Sequence, residues 1–391
     1  MDAFSHQLRL PTRQGGLEDF RFGEPSPYPA TAAGKFNRLA FAAAHVVADP
    51  LGDVDPWTAP AVDWDATIAC RRHLWGLGFS VAEAMDTAQR GMGLDWPTAL
   101  ELIRRSTAAA RADGHRRLAS GVGTDHLDPA AARSIDDVIR AYEEQMEAVE
   151  AAGSPVVLMA SRALARVARS AEDYLRVYGR LLAQAREPVI VHWLGEMFDP
   201  ELAGYWGSRD VTTAMATALA VIGTNPAKVD GVKISLLDAA REVEMRRRLP
   251  AGVRMYSGDD FNFADLVLGD DEGHSDALLG IFDAIAPAAS AALAALARGD
   301  ERGFRDVLDP TVPLSRLIFA TPTRFYKTGV VFLAWLNGHQ RNFTMIGGQQ
   351  SARSIVHLAD ALRLADRARL IVDPERAAAR MRLLLAINGL D

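Results

Sequence analysis

Residues 228–237, KVDGVKISLL, decide how the rest of the chain is read. The run is short, β-branched and apolar, yet it carries one charge, Lys233, between Val232 and Ile234. Continuous apolarity is the mark of a parallel strand buried on both faces, and period-two alternation turns Lys233 away from its two neighbours, into the space such strands enclose. Seven further runs share this character: RLAFAAAHVV (38–47), FSVAEAM (79–85), RRLASGV (116–122), SPVVLMA (154–160), EPVIVHWL (187–194), GVRMYSG (252–258) and ALLGI (277–281).

Between these runs lie amphipathic helices. Ile135, Val138, Ile139, Tyr142, Met146 and Val149 share one face, and Ser134 followed by Asp137 is a capping-box start. Ser170 with Asp173 repeats that signal, and Asp95 before Pro97 opens another helix. Eight strand–helix units predict a (β/α)8 TIM barrel. A doubly wound sheet would want a Gly-rich dinucleotide turn, and Gly76/Gly78, Gly91/Gly93 and Gly121/Gly123 all lack the third glycine in register. The expected organisation is an irregular N-terminal arm at 1–35 with four prolines, a catalytic barrel at 36–287 and a C-terminal helical extension at 288–391.

The composition narrows the function. The 391 residues carry a net charge of −7 with no basic block, which gives nucleic acid or an anionic membrane no footing. A single cysteine excludes an internal disulfide and fits a reducing cytoplasm. The opening MDAFSHQLRLPTRQGG lacks the apolar run of a signal peptide. Residues 277–297 are long enough to span a bilayer, but Asp283 and Pro287 interrupt them, so they read as strand, turn and buried helix. Of the 43 basic residues only Lys35, Lys228, Lys233 and Lys327 are lysines. A chain that uses arginine for ordinary positive charge makes a strand-buried lysine stand out.

In such a barrel the chemistry sits at the C-terminal ends of the strands. The polar residues there are His45, Asp86, Thr87, Asp125, His126, His192, Lys233, Asp259 and Asp260. Burial lowers a lysine's pKa and makes its amine a nucleophile toward a ketone, which arginine cannot be. The bland reading of Lys233 is a snorkelling side chain or a partner of Asp230. His192 suits general acid/base work or a satisfied rim position. Asp259 suits a substrate hydroxyl or a helix cap. Cys70 reads as core. No HExxH or P-loop occurs, although His45, Asp125, His126 and His192 leave a scattered metal site open.

These residues carry a family likeness. DGVKISLLD resembles the Schiff-base strand of the dihydrodipicolinate synthase / N-acetylneuraminate lyase family, whose pattern runs roughly G-[IV]-K-[DE]-[AS]-S-G-D. The segment 246–273 is similar to the family's stretch around its "SGDD" turn, 277–300 to its last strand and following helix, and 324–338, with Lys327, to a late "K-x-A-L-x-x-x-G" helix. The likeness spans about 36–345, more specific in the second half of the barrel than in the first. The resemblance implies a class I aldolase-type barrel, Lys233 at the Schiff-base position, no cofactor and a homo-oligomer, dimer or tetramer. The departures are as telling. The family's tyrosine after the fifth strand falls on His192, its carboxylate-binding arginine on Met197, its "G-T-T-G-E" loop becomes MDTAQRG with only Thr87 keeping a hydroxyl, and "T-P-Y-Y" becomes MASR.

The resulting expectation is a cytoplasmic Schiff-base lyase acting on a 2-oxo acid or keto-sugar derivative by retro-aldol cleavage, condensation or dehydration. Lys233 forms the iminium, His192 replaces the tyrosine as proton shuttle, Asp86, Thr87, Asp125 and Asp259 position the substrate, and Trp193 covers its face. Two alternatives stand beside it: a divalent-metal barrel with His and Asp ligands, and a non-catalytic sugar-acid-binding barrel.

Overall fold

The structure is a computed structural model that describes residues 7–114 and 117–390. Arg116 of the expected run 116–122, the first six residues of the expected arm and Asp391 at the end of the expected extension lie outside the described residues. The segment read as an irregular arm contains a hairpin, β1 (Gln7–Pro11) and β2 (Leu17–Arg21), paired antiparallel. Leu8 and Leu10 bury one face of β1 while Arg9 is exposed, and Gly15 and Gly16 at positive φ make the turn. The prolines hid that alternation.

Eight parallel strands then close a barrel: β3 (Ala40–Ala43), β4 (Ser80–Glu83), β5 (Leu118–Val122), β6 (Val156–Leu158), β7 (Val189–Leu194), β8 (Val229–Ser235), β9 (Arg254–Ser257) and β10 (Asp276–Leu279), with β10 pairing back onto β3. Seven lie inside the expected apolar runs, the eighth, β10, begins one residue before its run at Asp276, and the TIM barrel is borne out. Phe41, Ala82, Ala119, Val157, Ile190 and Tyr256 fill the interior. Each large apolar side chain buried this way contributes about 1.5–3 kcal/mol.

The helix caps explain where the crossovers begin. Ser134 Oγ accepts the amide of Asp137, and the Asp137 carboxylate accepts the amide of Ser134 at 2.9 Å, so the capping box forms. Asp95 accepts the amide of Thr98 with Pro97 in the first turn. Ser170 differs: its hydroxyl serves Glu172, and Asp173 reaches back instead to the amide of Arg169 at 2.8 Å. Residues 277–297 become the end of β10, a short helix Ile281–Ala284 and a buried helix Ala286–Ala297. Among the described residues no helix is long and apolar enough to cross a membrane. Helices continue to Pro374–Ile387, so the chain after the barrel is helical as expected.

The chain divides into two compact units. One comprises Arg38–Ala44 and Phe79–Gly280 and holds all eight barrel strands; the other is built from the segments up to Asn37, His45–Gly78 and from Ile281 onward.

Candidate active site

β8 is the spine of the site. Gly231, Lys233 and Ser235 alternate with the buried Val232 and Ile234, and Lys233 is opposite Tyr256, a residue of the interior cluster. The Lys233 side chain therefore enters the barrel, and the residue is 8% exposed. Among the described residues its amine makes no hydrogen bond or ion pair. Asp230, the partner its bland reading required, instead receives the guanidinium of Arg254 and the hydroxyl of Tyr256. Burial lowers the Lys233 pKa, against the opposing pull of Asp260 and then Asp86. Gly258, just past β9, makes room for this side chain: a Cβ there would stand 2.3 Å from Ser235 Oγ, 2.6 Å from the Ile234 carbonyl and 2.8 Å from Lys233 Cε.

His192 on β7 is the register partner of Lys233. The ring is buried, and Nε2 lies 3.2 Å from Ser235 Oγ, the only hydrogen bond the imidazole makes among the described residues. Burial, and then the charge of Lys233, hold its pKa well below the usual imidazole value, so the ring is neutral near pH 7.

The other expected site residues have different fates. Asp86 follows β4 in a single 3-10 turn with the buried Thr87, and its charge reaches both Lys233 and Arg162. Asp259 is a turn cap: it accepts the amides of Phe261 and Asn262 and the Asn262 side chain at 2.8–3.0 Å. The carboxylate that faces Lys233 is its neighbour Asp260, buried in the same turn. Asp125, expected at the substrate, is held by both arms of the buried Arg90 and by Gln145, and the guanidinium keeps its carboxyl below the ordinary range despite burial. Trp193 does not cover a substrate: one residue along from the inward His192, it turns outward and meets Trp206 edge-on at 6.3 Å.

The scattered metal set does not assemble as a shared ligand group. His126 contacts Gln145 and Glu144, while His45 Nδ1 lies 2.6 Å from Asp283 and its Nε2 2.9 Å from Gln340. Among the described residues no group of three or more His, Cys, Asp or Glu is arranged to hold a metal ion. Cys70 is core, on the helix Trp64–Gly76 with its sulfur 3.8 Å from His45 Nε2. Lys327 is also buried, donating to the Arg324 carbonyl at 3.0 Å.

Two participants, Ser235 and Arg162, were not singled out from the sequence, and a third, Asp260, was named there beside Asp259 without a role of its own. Ser235 is legible from the alternation that turns Lys233 inward. Asp260 needed only the recognition that Asp259 is spent on its cap. Arg162, which follows β6 and holds Asp199 at 2.6 Å, had no signal beyond its place in MASR.

In fold the chain is similar to solved members of the dihydrodipicolinate synthase family. One is the dihydrodipicolinate synthase of Bacteroides thetaiotaomicron, at 16% identity and TM-score 0.62, covering 84% of this chain and 99% of that one. Another is YagE, a prophage protein of that family from E. coli K12 in complex with pyruvate, at 13% identity and TM-score 0.62, covering 91% and 99%. A third is the enzyme of Oceanobacillus iheyensis, at 15% identity and TM-score 0.58, covering 83% and 96%. At these identities the likeness is one of fold. No curated protein matches the chain. The family model described as "Protein of unknown function (DUF993)" matches residues 8–390, and the chain belongs to that family.

Proposed function

We propose that the protein is a Schiff-base lyase of the class I aldolase type, acting on a small 2-oxo acid or keto-sugar derivative. The observation that carries this reading is Lys233, an inward lysine whose amine makes no hydrogen bond or ion pair among the described residues, in register with a neutral histidine. The fold it shares with the pyruvate-bound YagE adds support.

Burial raises the fraction of Lys233 present as free amine, the form that attacks a ketone. The nitrogen lone pair bonds to the carbonyl carbon, the C=O pair moves to oxygen, and that oxygen takes a proton. Loss of the oxygen as water then leaves the iminium. Asp260 and Asp86 favour positive charge on this nitrogen, so they stabilise the iminium once formed. The iminium draws electrons from the neighbouring carbon, so a C–C bond there breaks or forms, or a hydroxyl one carbon further leaves. All these outcomes need a group that takes and returns protons, the role assigned here to His192.

The test is borohydride reduction of the full chain in the presence of pyruvate and a panel of 2-oxo acids and keto-sugars. The expected result is a mass increase on the peptide containing Lys233, absent in Lys233→Arg. No adduct with any compound overturns the reading.

A further inference from the structure

Ser235 occupies the inward position next after Lys233 on β8, toward the strand's C-terminal end. Its hydroxyl and the carbon that bears the Lys233 amine flank the same point beside Gly258, at 2.3 and 2.8 Å from the position a Cβ would take there. The same hydroxyl is 3.2 Å from His192 Nε2. Amine, hydroxyl and imidazole therefore form one buried constellation drawn from two adjacent strands. The hydroxyl is the link between the imidazole and the space beside the amine.

We infer that Ser235 is a catalytic residue, the group that takes a proton from the carbon next to the iminium and returns it, with His192 as the base behind it. This rests on the Schiff-base reading above and adds the route of the proton. In the enamine-forming step the C–H bond breaks, and its electron pair becomes the new C=C bond. The C=N pair moves onto the Lys233 nitrogen. The carbon's proton passes to Ser235 Oγ as the hydroxyl's own proton passes to His192 Nε2. One positive charge leaves nitrogen and one appears on the imidazole, so charge balances and no co-reactant is needed. The reverse step protonates the enamine carbon.

The electrostatics favour this coupling. Positive charge on Lys233 is one of the two causes that hold His192 neutral. As the iminium discharges into the enamine, that repulsion disappears and the imidazole becomes a better base when it must hold the proton.

The experiment uses pyruvate in deuterium oxide, with loss of its methyl protons followed by NMR and borohydride trapping run in parallel. The wild-type chain is expected to trap pyruvate and exchange its protons. Ser235→Ala and His192→Gln are each expected to trap at Lys233 while exchanging about 10²-fold more slowly. Because relay members act as a unit, the double variant is expected to be no slower than either single variant. Exchange at the wild-type rate in Ser235→Ala overturns the relay, as does a double variant whose losses multiply. A Ser235→Ala chain that traps nothing assigns the serine to holding Lys233 and also overturns it. Where another compound of the panel traps and pyruvate does not, that compound's protons are followed instead; absence of trapping with pyruvate and with every other compound of the panel sinks the Schiff-base reading itself, and the relay with it.

Discussion

His192 and Lys233 face each other as register partners on the parallel strands β7 and β8, both directed into the barrel. Neither carboxylate that acts on the lysine lies on these two strands; Asp86 and Asp260 come from the turns after β4 and β9. The imidazole thus has a cation across the strand pair and a neutral hydroxyl at Nε2, an arrangement that suppresses its protonation.

Histidine titration followed by NMR is expected to show His192 neutral at pH values where an ordinary imidazole is already protonated. Replacing Lys233 with Met removes the charge that, after burial, holds the imidazole neutral and is expected to move the His192 titration upward. A folded pKa below 6.5 means that the unfolded chain binds more protons in that window, so His192 lowers stability as pH falls below 6.5.

Glu242 behaves in the opposite sense to an ordinary carboxylate. It is buried, accepts the hydroxyls of Ser257 and Ser275 at 3.1 and 2.7 Å, and burial pushes its pKa up to about 8. Between 4.5 and about 8 the unfolded chain releases a proton that the folded chain keeps, so stability falls as pH rises across that window. Glu242→Gln is expected to flatten the dependence and to melt several degrees above wild type at pH 8.5, measured by thermal denaturation. Equal pH slopes in the two chains would contradict the assignment. Ser257 also accepts the amide of Asp259 at 3.3 Å, so this carboxyl supports the turn that carries Asp260.

The buried pair His45–Asp283 is structural. Asp283, with Cys70 adding to it, outweighs burial to raise His45 well above its usual value, and His45 holds Asp283 below the carboxylate range. Its contribution is expected to be full between the ordinary values of the two groups, 3.8 for the carboxyl and 6.5 for the imidazole. It is lost as pH falls through the depressed Asp283 value or rises through the raised His45 value. Asp283→Asn strands the imidazole and is expected to cost about 3–5 kcal/mol in urea unfolding.

Gly258→Ala tests the close approach beside the amine. The added methyl meets a backbone carbonyl at 2.6 Å, which has little freedom to move, as well as Ser235 and Lys233. A loss of about 1–3 kcal/mol is expected, together with reduced trapping at Lys233 in the fraction that remains folded. Wild-type stability and trapping would show that the turn shifts freely.

Much of the barrel was legible because its cause is local. The residues of 154–160 and 187–194 need two buried faces, and only a strand covered on both sides provides them. The capping box at Ser134 and the cap at Asp95 were equally local. Trp193 shows a local rule applied to one residue and not to the next: a strand that turns His192 inward must turn Trp193 outward.

By itself, the sequence determined the strand–helix alternation, the inward Lys233 and the absence of a dinucleotide turn, since these depend on periodicity and on the type of residue present. Only the tertiary structure decided which charges meet. Asp125 meets Arg90, Asp260 rather than Asp259 acts on Lys233, Asp283 meets His45, and Ser235 meets His192. Those pairings join residues from different strands, turns and helices. Closing the barrel brings the strand ends of the site together, and each buried charge or hydroxyl then takes the partner that its new surroundings supply.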